Sequence, residues 1–371
     1  MQPLWVATRK GLFSLNASDN WRVGAPSFLG DPVSMMLDDR RDGTLYAALN
    51  LGHFGSKLHR STDRAMTWQE LTVPSYEGIA ADPPHPEAPE GTPPPTVPAL
   101  KQIWALEGGG ANQPGRLWAG TLPGGLFRSD DSGQTWELVR SLWDMPERKN
   151  WFGGGADFPG IHTVWVDSRN ANHVLVGVSC GGAWATDDDG DTWQCRAQGM
   201  FAEYMPPARR DDPTIQDPHR VAICGEQPDV MWAQHHNGVF RSVDGGRHWK
   251  SLENAKPSSF GFAVAAHPRD PQTAWFVPAI KDERRVPVDN KLVVSRTRDG
   301  GETFEVFDRG LPSPSFDLIY RHALDIDDTG QVLAMGSTTG GLWLSDDGGE
   351  SWRTLSAHLP PIYAVRFGTP Q

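Results

Sequence analysis

Gly125-Leu126-Phe127-Arg128-Ser129-Asp130-Asp131-Ser132-Gly133-Gln134-Thr135-Trp136 decides the fold, because its last eight residues return along the whole chain. Related octets run Ser61 to Trp68, Thr186 to Trp193, Ser242 to Trp249, Thr297 to Phe304 and Ser345 to Trp352. Their third positions, with that of the quoted copy, are Asp63, Asp131, Asp188, Asp244, Asp299 and Asp347. An eroded seventh copy opens the chain, where Ser14, Asn16 and Trp21 keep the spacing. Each position has a task in a tight hairpin. The Asp carboxylate accepts N–H groups of its own turn, the Gly supplies positive φ, and the Thr or Ser hydroxyl closes the turn. The Trp starts the next strand and brings a large ring to bury between neighbouring modules. Such repeats describe one closed ring of sheet modules, so the seven copies predict an all-β, seven-bladed β-propeller spanning residues 1–371 as a single domain.

Within each repeat an apolar first strand, a second strand, a Gly-containing connection, a third strand ending in the octet and a fourth strand after the Trp recur. In blade four these are Ile161 to Val166, His173 to Val178, Cys180-Gly181-Gly182, Ala183 to Thr186 and Trp193 to Arg196. The chain opens with a second strand, Leu4 to Thr8, so the first strand of that blade has to come from elsewhere. Ile362-Tyr363-Ala364-Val365-Arg366-Phe367 fits the place and would close the ring, removing an exposed sheet edge. Asp82 to Pro98 is too rich in Pro for strand or helix and reads as an insertion between blades two and three, either a loose loop or a lid.

A net charge of −12 excludes a general nucleic-acid surface or an anionic-membrane surface, both of which need a basic footprint. No apolar segment is long enough to span a bilayer as a helix. Cys180, Cys195 and Cys224 are odd in number and lack metal-type spacing, and Met1 to Phe13 lacks a signal core, so the expectation is a reduced, cytoplasmic setting.

Propeller geometry sorts the loops. Connections between blades share one face with those between second and third strands, and the octets take the other face. Polar, histidine-rich segments fall on the first face, the mouth, which makes it the expected site. His162, His219 and His322 sit near the starts of first strands, and His235 or His236 ends a second strand at the same level. His162, His219, His236 and His322, with a carboxylate such as Asp157 or Glu203, are candidate ligands for Zn or Mn. The alternative, and the simpler reading, is that each ring hydrogen-bonds locally and holds its loop. Among the carboxylates Glu203 and Glu283 are the preferred acid–base pair, with Asp282 a further candidate, and His219, His236 and His322 bind metal or shuttle protons. Lys10, Lys57, Asp157, Tyr204, Lys281 and Arg321 are candidate substrate-binding residues, Lys57 and Arg321 for an anionic group. Cys180 ends a second strand at the mouth, either as a thiol nucleophile or as a small buried residue.

The octet S/T-x-D-x-G-x-T/S-W resembles the Asp box of the BNR-repeat propellers over nearly the whole chain. That group includes sialidases, oligoxyloglucan-cleaving hydrolases, sortilin-type receptors and photosystem II assembly factors. The sialidase pattern does not carry over. Its Arg-Ile-Pro motif belongs near the start, the nearest match here is Arg285-Val286-Pro287 in blade six, and Tyr320 beside Arg321 completes no arginine triad. Xyloglucan-cleaving relatives use a cleft between two propellers, whereas this sequence supplies one. The chain resembles most the bacterial glycosyl-hydrolase-like and photosystem II assembly factor-like proteins. That resemblance implies a hydrolase or lyase acting on a small polar, carbohydrate-like substrate, with a divalent metal as an option. The alternative is a non-catalytic binding or assembly propeller that grips a protein or peptide.

Overall fold

The computed structural model describes residues 2–81, 96–154 and 156–370. Of the Pro-rich insertion at 82–98, residues 82–95 lie outside the described residues. Seven antiparallel sheets stand around an axis as a seven-bladed propeller. Their innermost strands are, from blade one to blade seven, Ile362–Phe367, Val33–Asp38, Gln102–Gly108, Gly160–Asp167, Pro218–Ile223, Gly261–Ala266 and Leu324–Ile326. Among the described residues no helix is long and apolar enough to cross a membrane.

Blade one is completed from both ends of the chain. Leu4–Thr8 pairs with Gly11–Leu15 on one side and with Ile362–Phe367 on the other, in the register Leu4 to Phe367 and Val6 to Val365. The fourth edge of this blade is ragged. Leu12 and Ser27 exchange two backbone bonds of 2.9 Å, and Gly24 N donates to Ser14 O at 3.1 Å. Asn16 has no side-chain capping bond, which is the structural counterpart of the eroded octet.

The six intact octets form the turns between third and fourth strands. In blade three, Asp131 Oδ1 accepts from Thr135 N (2.8 Å) and Ser129 Oγ (2.8 Å), and Asp131 Oδ2 accepts from Thr135 Oγ1 (2.6 Å). Gly133, at φ 84°, takes a conformation that other residues rarely adopt, and donates to Ser129 Oγ. In blade five His248 replaces the Thr and its Nδ1 still faces Asp244 Oδ2 at 2.7 Å. Hydrogen bonds from Thr67 and Thr186 lead in holding the Asp63 and Asp188 carboxyls at about 2. The octet carboxylates are thus consumed by their own turns. Three of the octet Trp residues reach back to the preceding blade: Trp249 Nε1 donates to Arg196 O at 2.7 Å, Trp68 Nε1 to Ser27 Oγ at 3.0 Å and Trp193 Nε1 to Ser141 Oγ at 3.2 Å.

One irregularity of the first strands prepares the mouth. In blades two to six a β-bulge interrupts the pairing of first and second strands, between Val33 and Met35, Ile103 and Ala105, Ile161 and Thr163, Pro218 and Arg220, and Gly261 and Val264. A bulge adds one residue and re-aims its side chain. The residues so inserted include Ser34, Trp104, His162, His219 and Phe262. Ser34, Trp104, His219 and Phe262 line the central cavity.

Candidate functional site

The mouth opens into a cavity of ≈ 1250 Å³ to which the loops and first strands of several blades contribute. Its chemical centre lies against blade five. Asp217, only 4% exposed, immediately precedes the first strand, and the register Pro218 to His235 sets it opposite His236. Gln216 O accepts from Gly181 N (2.9 Å) and Gly182 N (2.7 Å), which laces this entry to the turn of blade four. Gly182, at φ 78°, has no room for a Cβ, which would stand 2.3 Å from Pro213 O. So positioned, Asp217 Oδ1 accepts from Ser179 Oγ and Cys180 N, both at 3.1 Å. Its other oxygen, Oδ2, faces His219 Nε2 at 3.4 Å and His236 Nδ1 at 3.5 Å.

The ring of His219 is fixed on three sides. It stacks on Phe262 at 4.4 Å with an interplanar angle of 13°, meets the edge of Phe260, and its Nδ1 lies 2.6 Å from Gly261 O. A carbonyl only accepts, so Nδ1 carries the hydrogen and Nε2 is turned to the carboxylate. His236 is more open and packs edge-on against Tyr204 and Phe260. Burial works to raise the Asp217 carboxyl, but the facing His219 and the bonds from His219 and His236 outweigh it and hold it well below the usual carboxylate range. Burial, then the Asp217 charge, pushes up both the Cys180 thiol and the Tyr204 phenol. Cys180 is 2% exposed, so of its two readings the small buried residue fits the surroundings.

Arg321 adds a cation to the same cavity. Its Nε donates to His219 O at 2.8 Å, and its guanidinium lies over Trp104 at 4.5 Å and near Phe262 at 5.7 Å. Burial pushes its pKa down to about 10, so it stays charged at neutral pH. No carboxylate among the described residues stands within ion-pair distance of it, while the cavity is open to it.

The other candidates distribute unevenly. Glu203, Glu283, Tyr204 and Lys281 line the cavity at its rim. Glu203 is 61% exposed and 3.6 Å from Arg210, and Glu283 is 74% exposed and 3.1 Å from Lys281 Nζ. A hydrogen bond from its own backbone, then Lys281, lowers the Glu283 carboxyl. Asp282 pairs with Arg285. Asp157 and Lys10 are exposed and do not line the cavity. Lys57 also stands outside it, because its Nζ turns along the sheet to Glu70 Oε1 at 2.6 Å on the outer strand. The four candidate metal histidines split into two pairs. His219 and His236 meet at Asp217, whereas His322 Nε2 donates to His162 O at 2.7 Å, joining blade seven to blade four across the axis. His235 is wholly buried, and its Nε2 receives Asp217 N at 3.0 Å.

Asp217 is not among the candidates that the sequence alone put forward. The signal was present in the pairing of the first two strands of one blade, which sets the residue before Pro218 opposite the residue after His235. Trp104 and Phe262 were missed because nothing in the alternation of a regular strand announces a bulge.

His162 and His322 set a pH dependence. Burial, with nearby arginines, holds both well below the ordinary histidine value of 6.5. The unfolded chain therefore binds protons that the folded one refuses, and stability rises with pH through that window. The urea midpoint is expected to be flat above about pH 7 and to fall as pH drops below about 6.5. The double variant His162→Gln, His322→Gln should make that fall shallower, the remainder coming from His235, which burial pushes down to about 3, and an unchanged slope would rule the two rings out as a source.

No known family model matches the chain. It is 26% identical over 248 residues to the oligoxyloglucan-reducing end-specific xyloglucanase of Emericella nidulans, a match that covers 66% of this chain and 26% of that protein. The chain thus spans about a quarter of the length of that curated relative. Among solved structures, the GH74 xyloglucanase from Xanthomonas campestris superposes with a TM-score of 0.66 at 16% identity, over 95% of this chain and 52% of that one. YCF48 bound to D1 peptide superposes with a TM-score of 0.50 at 15% identity, over 87% of this chain and 83% of that one. At these identities the structural likenesses establish the seven-bladed ring alone.

Proposed function

We propose that the mouth is the active site of a hydrolase or lyase that cleaves a small carbohydrate bearing an acidic group. The observation that carries this reading is the Arg321 guanidinium, which faces an open cavity with no carboxylate partner among the described residues and abuts the backbone of His219. In this reading Arg321 grips the acidic group in a fork that suits a carboxylate. Asp217, His219 and His236 form the chemical centre, either moving protons themselves or holding an ion that polarises the substrate. Glu203, Glu283, Tyr204 and Lys281 meet the outer part of the substrate at the rim and supply further proton donors and acceptors. The sequence similarity to an oligoxyloglucan-cleaving enzyme supports a carbohydrate substrate, and the unpaired cation supports an acidic one.

The test is a panel of uronate-containing and neutral oligosaccharides, the latter including xyloglucan fragments. New reducing ends report cleavage, and ultraviolet absorbance of an unsaturated uronate separates a lyase from a hydrolase. Turnover is expected on acidic members only. Cleavage of the neutral fragments with none of the acidic ones would overturn the role given to Arg321.

A second reading, a peptide-gripping propeller, is favoured by exposed aromatic side chains on the mouth-side loops. Phe54 is 73% exposed, Phe316 64% and Tyr204 39%. The similarity of fold to a protein solved with a bound peptide agrees with it. Peptide binding that blocks the mouth, with no turnover across the panel, would favour this second reading.

A further inference from the structure

Three side chains at the floor of the mouth have the spacing of ligands around one ion. Asp217 Oδ2, His219 Nε2 and His236 Nδ1 lie within 4.8 Å of one another, with 3.4 and 3.5 Å from the carboxylate oxygen to the two nitrogens. Ligands held tetrahedrally at about 2.0–2.1 Å from zinc stand roughly 3.3 Å apart. The two shorter separations already match that value.

The surroundings prepare each ligand for the task. Metal-binding histidines donate their second ring N–H to a carbonyl or carboxylate, which fixes the tautomer, and binding carboxylates are themselves hydrogen-bonded. His219 Nδ1 lies 2.6 Å from Gly261 O and its ring is held flat against Phe262, which aims Nε2 at the cluster, where a bound ion takes the place of the proton that Nε2 shares with Asp217. Asp217 Oδ1 is taken up by Ser179 Oγ and Cys180 N, which leaves Oδ2 for the centre. His236 is placed by its backbone N–H on Asp217 O at 3.0 Å. All three residues border the cavity, so a position opposite them is open to a small molecule, with the Arg321 guanidinium in the same space.

We propose that Asp217 Oδ2, His219 Nε2 and His236 Nδ1 form a three-ligand site for a first-row divalent cation such as zinc. Its open position faces the mouth and takes an anionic oxygen of the substrate. Two nitrogens and one oxygen suit such an ion better than magnesium or calcium, which prefer oxygen throughout. The metal site stands on the side-chain geometry alone, and the substrate oxygen as its fourth ligand rests on the functional reading above. The site differs from the four-histidine set expected from sequence, since His162 and His322 belong to a separate pair across the axis.

The experiment uses the full chain, stripped with a chelator and dialysed, then titrated calorimetrically with zinc chloride and with manganese chloride. One ion per chain is expected, with a rise in melting temperature that follows the concentration of the ion. His219→Gln and His236→Gln should each weaken binding by more than about 100-fold, because losing a ligand exceeds the effect of losing an outer-shell partner. His236 sits at the more open edge of the cluster, so His236→Gln keeps the test valid if the buried His219→Gln fails to fold. Wild-type protein that binds no stoichiometric ion, or a folded His236→Gln variant that binds as the parent does, would overturn the site. One-to-one binding without turnover on any acidic glycan supports the site and counts against the catalytic reading alone.

Discussion

Truncation after Leu359 is expected to abolish cooperative unfolding. The lost segment holds Ile362–Phe367, the inner strand of blade one, whose Ile362, Ala364, Val365 and Phe367 are at most 4% exposed. Burying an Ile, Val or Phe side chain is worth about 1.5–3 kcal/mol, and these contacts together approach the whole net stability of a typical domain, about 5–15 kcal/mol. The loss is compounded by the ladder. Without Ile362–Phe367, Leu4–Thr8 becomes an open edge directly on the axis, beside the strand Val33–Asp38 of the next blade, and invites association with other chains. His322 also loses its bond with the strand, where Val365 N donates to His322 O at 2.9 Å. Calorimetry and near-ultraviolet circular dichroism of the truncated chain should show no single cooperative transition. A chain ending at Thr369, which keeps the bonds of Gly368 to Pro3 and Gln2 and of Thr369 to Asp38, should melt like the parent. A protein cut after Leu359 that also does so would refute closure by this strand.

Arg321→Met is expected to cost about 100-fold in kcat/KM on an acidic substrate. Hydrogen bonds to a charged group contribute about 1.5–3 kcal/mol, and 1.4 kcal/mol is a factor of ten. Met keeps much of the packing over Trp104 and Phe262 but removes the fork and the charge. Arg321→Lys restores a cation without the planar pair of donors, and without the Nε bond to His219 O. It should fall between the two. The urea midpoint should change little in Arg321→Met, since removing a buried charge offsets the lost bond. Equal loss on acidic and neutral substrates would show that Arg321 merely supports the loop.

The ring was legible because a turn repeated at strand intervals leaves few alternatives. Ser129, Asp131, Gly133 and Thr135 make the bonds their chemistry suggests, and an unpaired Leu4–Thr8 asked for a partner that Ile362–Phe367 supplies. The mouth was legible only in outline. Loop position placed Glu203, Tyr204, Lys281, Glu283 and Arg321 at the cavity, yet misplaced Lys57, whose side chain follows the strand to Glu70. Which histidines meet depends on bulges and on distances across the axis, and neither has a periodic trace in sequence. His219 and His162 both occupy bulges of first strands, but one turns to Asp217 and the other packs by Trp104. The decisive carboxylate, Asp217, carried no motif of its own.

The Arg321 Nε bond to His219 O ties blade seven to blade five, passing over blade six. A ligand that draws the guanidinium toward itself therefore tugs on the peptide that carries the His219 imidazole. That backbone oxygen is a contact through which an ion at the Asp217 cluster and a ligand of Arg321 would be coupled. Thermodynamic reciprocity then requires that any factor by which the ion changes the affinity of the ligand is the factor by which the ligand changes that of the ion.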